Sequence, residues 1–154
     1  DDWSLEDAQT SGLTPIVWHH GYTANRAMMG YYGPNGCAYR MKSQYRHIFL
    51  EARGCGESAR MGPYSIEQQA QDTVSLADYL KVSTFVFVGH SMGGGVGWYL
   101  GTHYAERLIK LVLVAPEVTV LADALVRDAS LSALARACTC AGDHGDLGVL
   151  WFVK

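Results

Sequence analysis

Four short apolar runs, each followed closely by a glycine or proline, constrain the fold of this 154-residue chain more than any other feature. Pro15-Ile16-Val17-Trp18-His19 ends at Gly21, and His47-Ile48-Phe49-Leu50 ends before Gly54. Thr84-Phe85-Val86-Phe87-Val88 stops at Gly89, and Leu108 to Val114 stops at Pro116. Runs of this length without polar alternation suit strands covered on both faces, as in a parallel sheet. Helical periods lie between them. Ser65-Ile66-Glu67-Gln68 has the form of a capping box, in which hydroxyl and amide serve free N–H groups of the first turn. Ile66, Ala70, Val74, Ala77 and Leu80 then mark one buried face. Met92 to Tyr104 repeats the pattern, with Val96, Leu100 and His103 or Tyr104 on one stripe. Alternating strands and helices joined by right-handed crossovers predict an α/β fold, a doubly wound and mostly parallel sheet.

Composition narrows the function classes. With 49% hydrophobic and 18% charged residues the chain is globular rather than disordered. A net charge of −3 leaves no basic footprint for phosphate backbones, so no nucleic-acid partner is expected. No apolar run approaches the roughly 20 residues that span a bilayer. The opening Asp1-Asp2-Trp3 shows no signal peptide, which favours a cytoplasmic location. Of the four cysteines, Cys138 and Cys140 make a lone C-x-C, and Cys37 and Cys55 stand apart, so free thiols are expected rather than a metal site. Nothing calls for a metal or an organic cofactor. No linker or internal repeat divides the chain, so residues 1–154 read as a single domain.

The chemistry concentrates in Gly89-His90-Ser91-Met92-Gly93. G-x-S-x-G occurs by chance in roughly one ordinary chain in twenty. Its context adds the weight: it directly follows the strongest strand and opens a glycine-rich helix, the arrangement of a nucleophile elbow. A sharp strand-to-helix turn strains the residue at its apex, and glycines two positions to either side remove Cβ atoms that would clash. Ser91 then projects at a helix N-terminus, where an oxyanion meets the Met92 N–H and the helix dipole. His19-His20-Gly21-Tyr22, at the end of the first strand, reads alone as a core or loop histidine; combined with the elbow, its loop can supply the Tyr22 N–H as a second oxyanion donor. The Tyr22 ring either lines the acyl site or packs.

Taken in order, Pro15 to Gly21, Glu51-Ala52-Arg53-Gly54-Cys55-Gly56-Glu57-Ser58, Val86 to Gly94, and Ala105 to Pro116 resemble the α/β-hydrolase superfamily. The second block is similar to the family's arginine-glycine turn, with Glu51 where Asp is usual. The resemblance covers about residues 12–116, with 117–154 as the start of a cap or a divergent tail. It implies a serine hydrolase acting through an acyl-enzyme on ester, amide, thioester or C–C bonds. Ser91 matches the nucleophile, and Tyr22 with Met92 the oxyanion hole. Family members that open epoxides or cleave carbon–halogen bonds carry Asp at the apex, so Ser91 argues against those reactions.

A serine hydroxyl needs a base and an orienting carboxylate, which in this fold follow the nucleophile in the order acid, then His. After Ser91 come only His103 and His144. His103 lies about 18 Å along the helix that starts at the elbow. Ala141-Gly142-Asp143-His144-Gly145-Asp146 loosely resembles the segment that delivers the acid, which makes Asp146, or Asp143 one register away, the candidate; a plain polar turn is the alternative. The chain thus reads as a partial α/β-hydrolase core lacking its C-terminal strands, with base and acid lost or supplied beyond Lys154, and little turnover by itself. The substrate class is a small acyl or apolar molecule. The competing expectation is a non-catalytic protein of the same fold that binds a small ligand or partner, motivated by the absent histidine and the aromatic group Trp18, Tyr22, Tyr31 and Tyr32.

Overall fold

A computed structural model describes residues 12–27, 36–114, 116 and 149–153. Among the described residues five strands form one sheet: β1 (Thr14–His19), β2 (Tyr45–Leu50), β3 (Phe85–His90), β4 (Leu108–Val114) and β5 (Val149–Val153), in the order β2-β1-β3-β4-β5. Strands β1 to β4 pair in parallel, and β5 runs antiparallel to β4 with Val112 opposite Trp151. The helices are α1 (Cys37–Arg40), α2 (Ile66–Tyr79) and α3 (Met92–His103), followed by a 3-10 turn at Ala105–Arg107. Each apolar run became a parallel strand, and the last, Leu108 to Val114, kept its predicted bounds. Strand β5 was not anticipated, although Val149 to Val153 is itself an unbroken apolar run.

The order has a direct consequence for the site. From β1 the chain crosses to β2 on one side, then returns to β3 on the other side of β1. The connections therefore part company between β1 and β3, and the crevice beyond their carboxyl ends is where open α/β sheets bind ligands. Val17 pairs with Phe87 and His19 with Gly89 across this seam.

Two apolar clusters cover the sheet. On one face Val17, Phe85, Phe87, Leu111 and Leu113 pack with Ala70 and Ala77 of α2 and Val96 and Leu100 of α3. On the other, Ile16, Trp18 and Val88 pack with Ala38 of α1. Trp18 donates its indole N–H to His47 Nδ1 at 2.9 Å and stacks on Phe49 with centroids 6.1 Å apart. Each large side chain buried this way contributes about 1.5–3 kcal/mol.

Helix α2 starts as expected on one count and not on another. Ser65 Oγ accepts the Gln68 N–H at 3.2 Å, but the Gln68 amide donates to Asp72 Oδ1 at 3.3 Å, so the reciprocal half of the capping box is not made. Its buried face also differs from the apolar stripe: Gln69 and Thr73 are buried, while Ile66, Val74 and Leu80 are only partly so. Each finds an acceptor for its donor, while Gln69 Oε1 stays buried without a partner among the described residues. Thr73 Oγ1 donates to the Gln69 carbonyl at 2.9 Å, and Gln69 Nε2 donates to the Tyr64 carbonyl at 3.1 Å. Helix α3 is buried from Met92 to Trp98. It lies close on β3 and β4 because a Cβ at Gly97 would stand only 2.7 Å from Leu113 Cδ2 and 2.8 Å from Phe87 Cε1.

Candidate active site

Ser91 is the hinge between β3 and α3. Its backbone sits at φ 51°, ψ −115°, in the positive-φ region that residues with a Cβ rarely occupy. Three hydrogen bonds hold it there. The Ser91 N–H donates to the Val114 carbonyl at the end of β4 at 3.0 Å, and the Ser91 carbonyl accepts from Gly94 at 2.8 Å and Gly95 at 3.2 Å. The flanking glycines are obligatory in space: a Cβ at Gly89 would overlap the Gly93 carbonyl, and one at Gly93 would overlap the carbonyl of His19. Met92 and Gly93 open α3, so their N–H groups have no acceptor within the helix and carry its positive end.

The loop after β1 closes against this turn. A Cβ at Gly21 would lie 3.2 Å from Ser91 Cβ, which places the two backbones side by side. Gly21 to Ala24 form a tight turn, with the Ala24 N–H donating to the Gly21 carbonyl at 3.3 Å and Thr23 at φ 58°. Tyr22 stands at the head of this turn, 77% exposed. The sequence thus brought Tyr22, Ser91 and Met92 to one place: all three line a cleft of about 850 Å³ with Arg53, Cys55, Arg60, Tyr64, Ile66 and Gln69.

The far wall comes from the loop after β2. The Glu51 carboxylate accepts the Glu57 N–H at 3.0 Å, and its carbonyl accepts Ser58 Oγ at 2.7 Å. The carboxylate also fills the space that a Cβ on Gly56 would need. Arg53 is committed to structure: Nε and Nη2 grip Asp72 at 2.5 and 2.6 Å, and Nη1 donates to the carbonyls of Met61 and Pro63 at 3.1 Å. Cys55 is the other side chain in the cleft with nucleophilic chemistry. Burial first, and the Glu51 charge second, push its thiol above the ordinary range against Arg60, so it stays protonated.

The described histidines divide by environment. His20 is buried with both ring nitrogens engaged, and His47 receives the Trp18 indole. His103 stacks on Tyr99 at 3.9 Å at the far end of α3, where the helical rise put it. His90 presents Nδ1 toward Gly21, 3.1 Å from where a Cβ would be. His19 lies beneath the elbow with no exposed surface, its Nδ1 donating to the His20 carbonyl at 2.9 Å. Desolvation lowers its pKa from 6.5 to about 4. The folded protein therefore refuses a proton that the unfolded chain accepts. Stability should be constant above about pH 6.5 and fall progressively toward pH 4, by up to about 3 kcal/mol. Urea midpoints measured across pH 4–8 check this, with a flatter profile expected for His19→Gln.

Two elements of the sequence reading fall elsewhere. Trp18 belongs to the core on the opposite side of the sheet from α2 and α3, so it does not join Tyr22 in an aromatic cleft lining. Asp146, with Asp143, His144, Tyr31, Tyr32, Cys138 and Cys140, lies outside the described residues. Glu51 as a loop-closing carboxylate and His20 as a bridge were missed; the positive φ at Gly56 explains the first only once the turn is seen. Among the described residues no three His, Cys, Asp or Glu side chains group to hold a metal ion, and no helix is long and apolar enough to cross a membrane.

Residues 14–136 match a protein family described as alpha/beta hydrolase fold. Epoxide hydrolase 4 of Mus musculus is 32% identical over 90 residues, covering 56% of this chain and 25% of that protein. The 3-oxoadipate enol-lactonase 2 of Acinetobacter baylyi is 36% identical over 73 residues, covering 47% of this chain and 27% of the enzyme. Among solved structures, the enol-lactonase from Burkholderia xenovorans LB400 superposes with a TM-score of 0.57 at 30% identity, over 66% of this chain and 37% of that one. The chain thus spans about a quarter of the length of these two curated relatives.

Proposed function

Since the chain belongs to the alpha/beta hydrolase fold family, we propose that it provides the nucleophile and oxyanion hole of a serine hydrolase acting on small carboxylic esters, lactones included. The observation that carries this reading is Ser91 at positive φ on the β3–α3 turn, beside Tyr22 and facing the cleft. A structural turn with a glycine at its apex would avoid that strain; a serine retained there suits a hydroxyl that must be presented.

Ser91 Oγ attacks the ester carbonyl carbon and a base from outside the described residues takes its proton. The carbonyl oxygen becomes an oxyanion between the N–H groups of Tyr22 and Met92, at the positive end of α3. Collapse breaks the bond to the alkoxy group, which leaves with a proton, and water then releases the acid from Ser91. Asp146 remains the candidate that orients the base. Two relatives named as enol-lactonases, which act on cyclic esters by name, support the ester class. The apex serine does not suit epoxide opening, which the resemblance ties to an apex aspartate. Amides, thioesters and C–C bonds stay within reach of the same acyl-enzyme chemistry.

A fluorophosphonate probe and a nitrophenyl ester test the proposal. We expect one phosphonyl adduct, on the tryptic peptide containing Ser91, and we expect that adduct to abolish whatever ester turnover the protein shows. Adducts scattered over other residues, with none at Ser91, would sink the reading.

A further inference from the structure

We propose that His20 is a positioning residue that aims the Tyr22 N–H into the cleft, an inference that rests on the serine-hydrolase reading. His20 has 1% of its surface exposed. Its Nδ1 lies 2.7 Å from the Gly21 carbonyl oxygen, and the Ala52 N–H lies 3.0 Å from its Nε2. A carbonyl only accepts and a backbone N–H only donates, so both contacts are made by one species, the neutral ring with its proton on Nδ1. Because a trans peptide is planar, its C=O and N–H point in opposite directions. Fixing the Gly21 carbonyl therefore fixes the Tyr22 N–H on the far side of the same plane. Two donors hold that carbonyl: His20 Nδ1 from within and Ala24 N–H, at a longer 3.3 Å, from the turn. The Ala52 bond anchors the ring to the end of β2, so the carbonyl is pulled toward a fixed point in the sheet. Gly21, beside Ser91, completes the link between this clamp and the reacting hydroxyl.

A merely structural histidine would matter through its tie to Ala52, whereas the positioning role runs through its bond to Gly21. Two amides separate these. In His20→Asn the side-chain NH2 takes the place of Nδ1–H and can still hold the Gly21 carbonyl. In His20→Gln the amide oxygen reaches the place of Nε2 and keeps only the Ala52 bond. The measurement is the second-order rate of fluorophosphonate labelling, in which Ser91 Oγ bonds to phosphorus, the P–F bond breaks and the hydroxyl proton leaves with fluoride. We expect His20→Asn within about threefold of the unaltered protein and His20→Gln slower by roughly 10- to 100-fold. We also expect unfolding midpoints that do not follow this order. Equal loss in both variants, or rates that track the midpoints, overturns the inference. In unaltered protein the Tyr22 amide proton resonance should move downfield when Ser91 is phosphonylated, and an unmoved resonance also overturns it. If Ser91 takes no label at all, the hydrolase reading fails and this inference with it. If His20→Gln labels at the unaltered rate, only the inference fails.

Discussion

Ser91→Ala is expected to remove phosphonate labelling and ester turnover altogether, a loss of about 10⁴-fold or more where residual catalysis is measurable. Its folding stability should barely change, because alanine keeps a Cβ on the strained backbone at φ 51°. Ser91→Gly gives the sharper result. Without a Cβ the positive φ carries little strain, so its unfolding midpoint should rise, by about 1 kcal/mol in stability, while activity is lost. Labelling kinetics with paired urea melts check both variants. A glycine variant no more stable than alanine would mean that the turn stores no strain.

The second large effect is at Gly93. A methyl group there falls on the backbone carbonyl of His19 and lies 2.9 Å from its ring, and no rotamer change moves a backbone atom out of the way. Gly93→Ala should therefore cost about 3 kcal/mol or more. It should also slow labelling in the folded fraction, since it pushes the elbow away from the Tyr22 loop. Gly97→Ala is the contrast. Its new methyl meets the ends of the Leu113 and Phe87 side chains, which can shift, so a loss of about 1–2 kcal/mol is expected. Equal urea midpoints for the two variants would contradict the distinction between backbone and side-chain obstacles.

Most of the architecture was legible because its signals are local. Phe85 to Val88 is apolar at every step, and Leu108 to Val114 ends at a proline, so strands and bounds follow from short windows. The elbow was legible for the same reason, since its glycines lie two residues from Ser91. What escaped depends on distance along the chain. Nothing near Gln69 says that its amide will meet Met92 Sδ, far along the chain, and remain buried. The wide separation of His20 and Ala52 likewise hides their bond, although His-Gly at a strand end marks the place. Trp18 was grouped with Tyr22 by proximity in sequence, but strand alternation sends it to the other face of the sheet, against His47 and Phe49. Glu51, where the resemblance leads one to expect Asp, accepts the Glu57 N–H, a contact not visible in the sequence.

The pairing of β1 with β3 also bears on kinetics. Tyr22 and Ser91 are separated by about 70 residues, with β2 and α2 lying between them in the chain. Loop closure of that length is slow compared with forming either helix. Helical signal should therefore recover early in refolding, while the ability to take a phosphonate returns only with the last, rate-limiting phase. Reactivity toward the probe then serves as a clock for the central seam, reporting the moment at which the two halves of the sheet become one.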